Sequence, residues 1–424
     1  MKHILQIAFI FCFCIITNAQ EIINCGTDQY HEIMLNNYDY RLQFIKSEEN
    51  IYNIQKSSSA KDNKDIVYSI PVVFHLICRP GSQPGDFYDG NPDDNTVITS
   101  FLANLNDAYR NTGSFDQGVG SDMEIEFCLA CRDTNGNSTT GITRFETHLA
   151  DSCGLSVNSY YTDSIKHLTF WDPKKYLNVW IIANLIDASG FSTFPWMPRD
   201  YRDGVIIDIA YLTTGYVAGV MLAHEIGHYT GLYHIFQNGC ANNDCLLHGD
   251  RVCDTPPSTQ ENIVLTCSDN TCSTDADDTT ANNPFTTDVE DNLRTYMNYG
   301  LPTCINQFTE GQKARARLYL TNYRYDLLTS DGCDVVNKIT FVENNENINI
   351  FYNSTNRLIN LAFNDNGIFE VYLIDQTGKT VFYKTYNGTN NAVISTNDLC
   401  DGIYLVKIFD RDAESIKVEK VVVY

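Results

Sequence analysis

Between His224 and His234 the chain reads H-E-I-G-H-Y-T-G-L-Y-H. Three imidazoles at this spacing can close on one zinc ion and leave a fourth position for a water, whose pKa then falls toward neutrality. Four residues separate His224 from His228, so the two rings leave one face of a helix one turn apart. Glu225 lies about 100° further round that helix. From there it is poorly placed as a third ligand and well placed as a general base toward the water. Gly231 has no Cβ, can take φ > 0 and can end the helix; the chain then returns His234 to the metal. An isolated H-E-x-x-H arises on ordinary helices, but the full pattern is expected by chance at roughly 10⁻⁵ to 10⁻⁴ in a chain this long. The chemistry implied is hydrolysis of a peptide bond. The other six histidines (His3, His31, His75, His148, His167 and His248) have no ligand-like company and read as structural or exposed.

Such a helix needs support. Residues 217–223 are apolar and continue it upstream into a core. Strands are expected at 67–78, 123–129, 177–183 and 204–209, and a helix at 96–111 through Val97, Phe101, Leu102, Leu105 and Tyr109. Residues 191–195 read as an edge strand, whose free N–H and C=O groups could pair with an extended peptide. A last helix is expected over 309–323. The alternation gives an α/β (α+β) domain.

Downstream, N-L-R-T-Y-M-N-Y-G places Met297 between tyrosines. After the extended histidine motif this resembles the Met-turn of the metzincins. His234, Phe236 and Cys240 in H-x-F-x-x-G-C, the run G-D-R-V-C-D-T-P (249–256), Y-M-N-Y, and C-x-x-x-F-T-x-G-Q (304–312) together resemble the pappalysin family. Upstream, I-P-V-V-F-H (70–75), F-C-L-A (127–130), Y-L-N-V-W (176–180) and G-F-S-T-F-P (190–195) agree, so the similarity covers about 66–333. It implies a metzincin-type catalytic domain with a twisted mixed sheet and an active-site helix. Met297 would form a floor under the metal, and the Tyr299 phenol would stabilise an oxyanion; as a plain packed aromatic it would do neither. Ile235 departs from the small polar residue common after the third His, which leaves the ligands intact and alters the nearby loop.

The 15 cysteines are too many for a cytosolic chain unless they bind metal. The N-terminus accounts for them. Lys2 gives a short basic start, residues 4–16 an apolar core, and Ala19 a small-residue end, so residues 1–19 read as a secretory signal peptide. No stretch is long and apolar enough for a firm membrane span. Cys240, Cys245, Cys253, Cys267, Cys272 and Cys304 could form a thiolate zinc site, but their irregular spacing and export favour disulfides. The resemblance implies two bridges between the third His and the Met-turn. A net charge of −24 with no basic stripe disfavours nucleic acid. It would steer cationic peptides, in line with the preference of many pappalysins for Arg or Lys beside the scissile bond. The resemblance also places Ca²⁺ beside the cleft, with oxygen ligands from Asp250, Asp254 and the Thr255 carbonyl; a solvated acidic turn is the plain alternative.

Residues 20–65 are polar, with patchy helical periodicity over 31–54 and an exposed linker at 57–61, and read as a propeptide cut between 55 and 65. Cys25-Gly26-Thr27 resembles the cysteine switch of pappalysin zymogens, in which a thiolate takes the open zinc position; a disulfide for Cys25 is the competing reading. The catalytic domain is set at 66–335. Residues 336–424 read as a small all-β sandwich, with strands at 358–363, 369–374, 380–384, 402–409 and 417–423. The order D-x-x-G-K, D-G-I-Y-L-V-K-I and a terminal K-V-V-V resembles the C-terminal sorting domain of the type IX secretion system, although the usual opening Y-P-N-P is degenerate at 351–354. A carbohydrate or adhesion module is the alternative there. The whole reads as a secreted or cell-surface zinc endopeptidase, made latent, with protein or peptide substrates. Its rival is a non-catalytic surface binding protein on a metzincin scaffold, which would not need Glu225.

Overall fold

In this computed structural model, residues 24–57, 66–81, 94–151, 155–212, 214–259, 267–333, 348–353, 356–363, 367–375, 379–397, 399, 401–411 and 415–423 are described. The signal peptide, the expected cut sites within 58–65 and the 335–336 boundary lie outside them. The chain forms two compact units, 1–335 and 336–424.

The first unit opens with helices α1 (Thr27–Met34) and α2 (Tyr38–Lys56), where patchy helical periodicity is expected over 31–54. The break has a local cause: the Asn37 side chain accepts from Tyr40 N and starts a new helix. Then come β1 (Tyr68–Cys78), α3 (Asp94–Arg110), β2 (Ile125–Leu129), β3 (Ile142–Glu146), α4 (Tyr160–Thr169), β4 (Leu177–Ile182), β5 (Gly190–Ser192), β6 (Val205–Asp208), α5 (Gly215–Tyr229), α6 (Glu310–Tyr323) and α7 (Tyr325–Leu328). The sheet runs β2-β1-β4-β6-β5, with β3 beside the second half of β1. All its pairs are parallel except β5 with β6, so the sheet is mixed and its antiparallel strand is an edge.

Strand β1 is buried on both faces from Ile70 onward, as a central parallel strand must be. Pro71 is tolerated because β1 has only β2 beside it there; pairing with β4 begins at Val72. His75 is structural: its ring nitrogens meet Thr143 Oγ1 at 2.8 Å and Asn178 Oδ1 at 2.9 Å. Helix α5 is almost wholly buried, with Ala218 to Tyr229 inside the core. The edge strand is shorter than the expected 191–195, because Phe194 and Trp196 turn inward and stack, centroids 4.5 Å apart.

Arg324 ties three of these parts together. Its guanidinium reaches Asp203 at 2.6 and 2.9 Å, donates to Tyr229 O at the end of α5, and lies 3.4 Å from the Tyr229 ring centroid. Asp203 also accepts from the Thr193 hydroxyl, just past β5. Among the described residues four disulfides add cross-links: Cys128–Cys333, Cys240–Cys272, Cys245–Cys253 and Cys267–Cys304.

The second unit is all β: β7 (Ile348–Asn353), β8 (Leu358–Phe363), β9 (Ile368–Ile374), β10 (Thr380–Asn387), β11 (Asn391–Ser395), β12 (Gly402–Asp410) and β13 (Ser415–Val423). Antiparallel sheets β10-β9-β12-β13 and β11-β8-β7 share one core, which includes Leu361, Phe363, Val371 and Val406. That is a sandwich.

Both side chains of the Arg324–Asp203 pair are fully buried. Removing one partner strands the other, so Asp203→Asn should lower stability by about 3–5 kcal/mol. A urea midpoint equal to that of the parent would show that the pair holds nothing.

Candidate metal centre

Thr214 caps α5 by accepting from Val217 N. At the other end the chain leaves the helix through Gly231, at φ +93. A Cβ there would also stand 2.3 Å from the Tyr319 ring, so conformation and space both require glycine. The turn brings His234 back beside His224 and His228.

The three Nε2 atoms converge. They lie 3.3 Å apart for His224–His228, 3.1 Å for His228–His234 and 3.3 Å for His224–His234. Nitrogens bound at about 2.1 Å to a tetrahedral zinc stand about 3.4 Å apart, so the set fits the ion. Each Nδ1 donates to an acceptor behind its ring: Tyr296 O at 2.6 Å, Leu232 O at 2.8 Å and Asp28 Oδ2 at 2.9 Å for His224, His228 and His234 respectively. That fixes the tautomer and points every Nε2 lone pair inward. Burial, with the neighbouring His234, pushes His224 down to about 3 and His228 well below the ordinary range, so both rings are neutral.

Glu225 is fully buried beside them. Its Oε2 meets Thr27 Oγ1 at 3.3 Å and the Cys25 thiol at 3.5 Å. Among the described residues its Oε1 has no hydrogen-bond partner. Burial pushes its carboxyl up to about 8. Met297 lies under the helix: a Cβ on Gly227 would stand 2.4 Å from its Sδ. The Tyr299 ring centroid is 4.7 Å from that of His234, and its hydroxyl donates to Cys25 O at 2.8 Å. This phenol therefore already holds a peptide carbonyl at the site.

Cys25 is buried and free of any disulfide, which sets aside the disulfide reading. Its sulfur and the three histidine nitrogens lie within 4.8 Å of one another. Burial, then the Glu225 charge, pushes its thiol well up. Residues 24–27 run along the free edge of β5. Cys25 bridges Gly190 in parallel, Gly26 N donates to Gly190 O, and Ser192 N donates to Thr27 Oγ1.

The other expected positions are more dispersed. Asp250 accepts from the Thr255 hydroxyl and Val252 N, while Asp254 accepts from Thr309 Oγ1 and Gly311 N at the start of α6. Burial, with Asp254 adding to it, pushes Asp250 up to about 8. Sequence reasoning missed Asp28, and named Thr27 in the Cys25 motif without its contact to Glu225. The available signal was slight: an acid in the first turn of a helix that follows Cys25.

Residues 159–321 match the family described as Pregnancy-associated plasma protein-A, and 337–424 match the secretion system C-terminal sorting domain. An extracellular metalloprotease of Sordaria macrospora is 30% identical over 267 residues, covering 60% of this chain and 76% of that protein. One of Neurospora crassa is 27% identical over 318 residues, covering 72% and 91%. A promirolysin mutant of Tannerella forsythia has a similar fold, with a TM-score of 0.50 and 24% identity over 72% of this chain and 97% of that one.

Because the Met297 sulfur fills the space beside Gly227, Gly227→Ala should displace the Met-turn and weaken zinc binding roughly 10-fold or more. Metal stoichiometry after dialysis against a graded chelator measures this. Full zinc retention would show that Met297 yields freely.

Proposed function

The chain belongs to the pappalysin family of secreted zinc metallopeptidases, and from that premise we propose that it is an endopeptidase made in latent form, with His224, His228 and His234 as zinc ligands and Glu225 as its base. The observation that carries this is the convergence of three inward lone pairs beside a buried carboxylate with an unpartnered oxygen. Zinc, when bound, supplies a Lewis acid that acidifies water and polarises a carbonyl.

The chain's own groups do the rest. Glu225 takes a proton from the attacking water and delivers it to the leaving amine nitrogen. Tyr299 donates to the substrate carbonyl oxygen as charge develops there, from the position in which it now donates to Cys25 O. The free edge of β5 aligns the extended peptide.

Latency follows from competition for the same groups. Residues 24–27 occupy the β5 edge, the Tyr299 hydroxyl and the Glu225 carboxylate, while the Cys25 sulfur faces the three nitrogens. A substrate needs all four, so segment and substrate exclude each other. Residues 20–65 then act as a propeptide, residues 66–335 as the catalytic domain, and the sorting domain at 336–424 delivers the protein through the type IX machinery. A preference for Arg or Lys near the scissile bond rests on the net charge of −24. Calcium near 249–256 is supported by the buried Asp250 carboxylate, which a hard cation would keep ionised; Asp254 and the Thr255 carbonyl complete the proposed oxygen donors. A fall in melting temperature on EGTA treatment, reversed by Ca²⁺, tests that site.

Glu225→Gln should keep stoichiometric zinc and lose about 10²–10⁴-fold in kcat/KM. Unchanged, chelator-sensitive cleavage of casein by that variant would refute the mechanism. Cys25→Ala should shorten the lag before activity appears in the full chain; an equally latent precursor would remove the sulfur from the account.

A further inference from the structure

Glu48 lies on α2, away from the three histidines, yet its carboxylate is buried and accepts from four donors. Oε1 takes hydrogen bonds from the Tyr233 hydroxyl at 2.9 Å, Arg315 Nη2 at 2.7 Å and the Tyr319 hydroxyl at 2.6 Å. Oε2 pairs with Arg251 Nη1 at 2.5 Å. All four partners belong to the part of the chain that follows the expected cut. Burial pushes the Glu48 carboxyl up, but the Arg315 and Arg251 charges and the two phenols outweigh it and hold it below the ordinary range.

The receiving side is built for an anion. The Arg251 and Arg315 guanidinium carbons lie 5.3 and 5.1 Å from the Tyr233 ring centroid, and Arg315 lies 5.1 Å from that of Tyr319. Arg315 is itself 1% exposed and anchored by its Nε to Gly231 O, in the turn that returns His234. Arg251 is held at φ +61, a left-handed conformation unfavourable for a non-glycine residue. Asp250 lies near enough to feel the Arg315 charge, but its carboxylate is taken by Thr255 and Val252. Without Glu48, two permanent cations and two phenols would face one another with no anion between them, an arrangement far costlier than the paired one.

We propose that Arg251, Arg315, Tyr233 and Tyr319 form a carboxylate-binding site on the catalytic part of the chain, filled by Glu48 in the precursor and refilled by Glu48 of the released segment in trans. The freed segment is then an inhibitor of the matured enzyme, gripped by a carboxylate as well as by a sulfur. This rests on the reading of residues 20–65 as a propeptide, but not on the role of Cys25.

The test uses matured enzyme, a chelator-sensitive peptide substrate and synthetic peptides spanning residues 24–57, with initial rates recorded and peptide integrity checked by mass spectrometry. The parent peptide should inhibit, and Glu48→Gln should weaken it roughly 10-fold or more, as expected for loss of a charge-assisted hydrogen-bond set. Against enzyme carrying Arg251→Gln, a partly exposed position, the two peptides should differ far less. Equal inhibition by both peptides, an undiminished difference against the Arg251 variant, or no inhibition by the parent peptide at millimolar concentration would each overturn the site. A Cys25→Ser peptide separates the two ideas. If it still inhibits while the Glu48→Gln peptide does not, the carboxylate site stands and the sulfur switch falls. The reverse result sinks the carboxylate site alone.

Discussion

Three imidazole lone pairs facing one another at 3.1–3.3 Å inside a protein core are the constraint on which the rest of unit 1 turns. Left alone, the rings would rotate, protonate or separate. They stay because each is tethered from behind, and the tethers come from three different places: the Met-turn backbone at Tyr296, the α5 exit turn at Leu232, and Asp28 in the leading segment. Two of the three are backbone carbonyls, so the site depends on backbone positions. That demand explains the buried α5, the glycine at 231 and the Met297 sulfur pressed against Gly227. It also explains why Arg324 is buried at such electrostatic risk. It joins the end of α5 to Asp203 and to the strand beside the cleft, so helix and edge cannot drift apart.

What could be read from the sequence was what is local. The spacing of His224, Glu225 and His228 is a statement about one helix turn, and Gly231 about one backbone angle, so both survive folding unchanged. Long apolar runs such as β1 and β4 announce themselves because both faces are covered. Strand β3 was missed because it is only half-buried and lacks a run of that kind, and α4 because its polar, tyrosine-rich start hides the helical spacing. The sandwich was legible as a class, though β7 and β11 were not. Cysteine spacing pointed to disulfides but not to their partners. Cys240–Cys272 and Cys245–Cys253 lie between His234 and Met297 as expected, while Cys267–Cys304 spans the Met-turn and Cys128–Cys333 joins β2 to the end of the unit. Asp28 and Glu48 were invisible for the same reason. Each acquires its meaning from a partner about two hundred residues or more away, and nothing in the local pattern marks either carboxylate for that partner.

The leading segment combines two kinds of contact with different thermodynamics. One is aromatic: His31, Tyr40 and Phe44 pack among Phe194 and Trp196, with ring centroids about 5 Å apart and a 3.0 Å hydrogen bond from the Trp196 indole to Tyr40. The other is made by carboxylates: half-buried Asp28 accepts from His234, and buried Glu48 pairs with Arg251 and Arg315. Apolar burial is additive and forgiving of small shifts. A buried charge pair is not, because its favourable energy depends on geometry while its desolvation cost does not. A segment held by both therefore has a docking that is either in register or strongly disfavoured.

That property suits the propeptide role proposed above, in which the segment blocks the site until it is cut. With apolar contacts alone, the segment could slide along the β5 edge and let substrate in beside it. The carboxylates oppose sliding, since a displacement of one residue would leave Glu48 buried without its partners and take Asp28 away from His234. Cutting the chain changes none of these contacts directly; it changes only the effective concentration of one part near the other. Departure of the segment is then a matter of mass action and of further cleavage within it, and the charge that fixes its register becomes the cost that resists its partial release. The same carboxylates that make the bound state specific thus make intermediate states scarce, which is the behaviour expected of a switch with two positions.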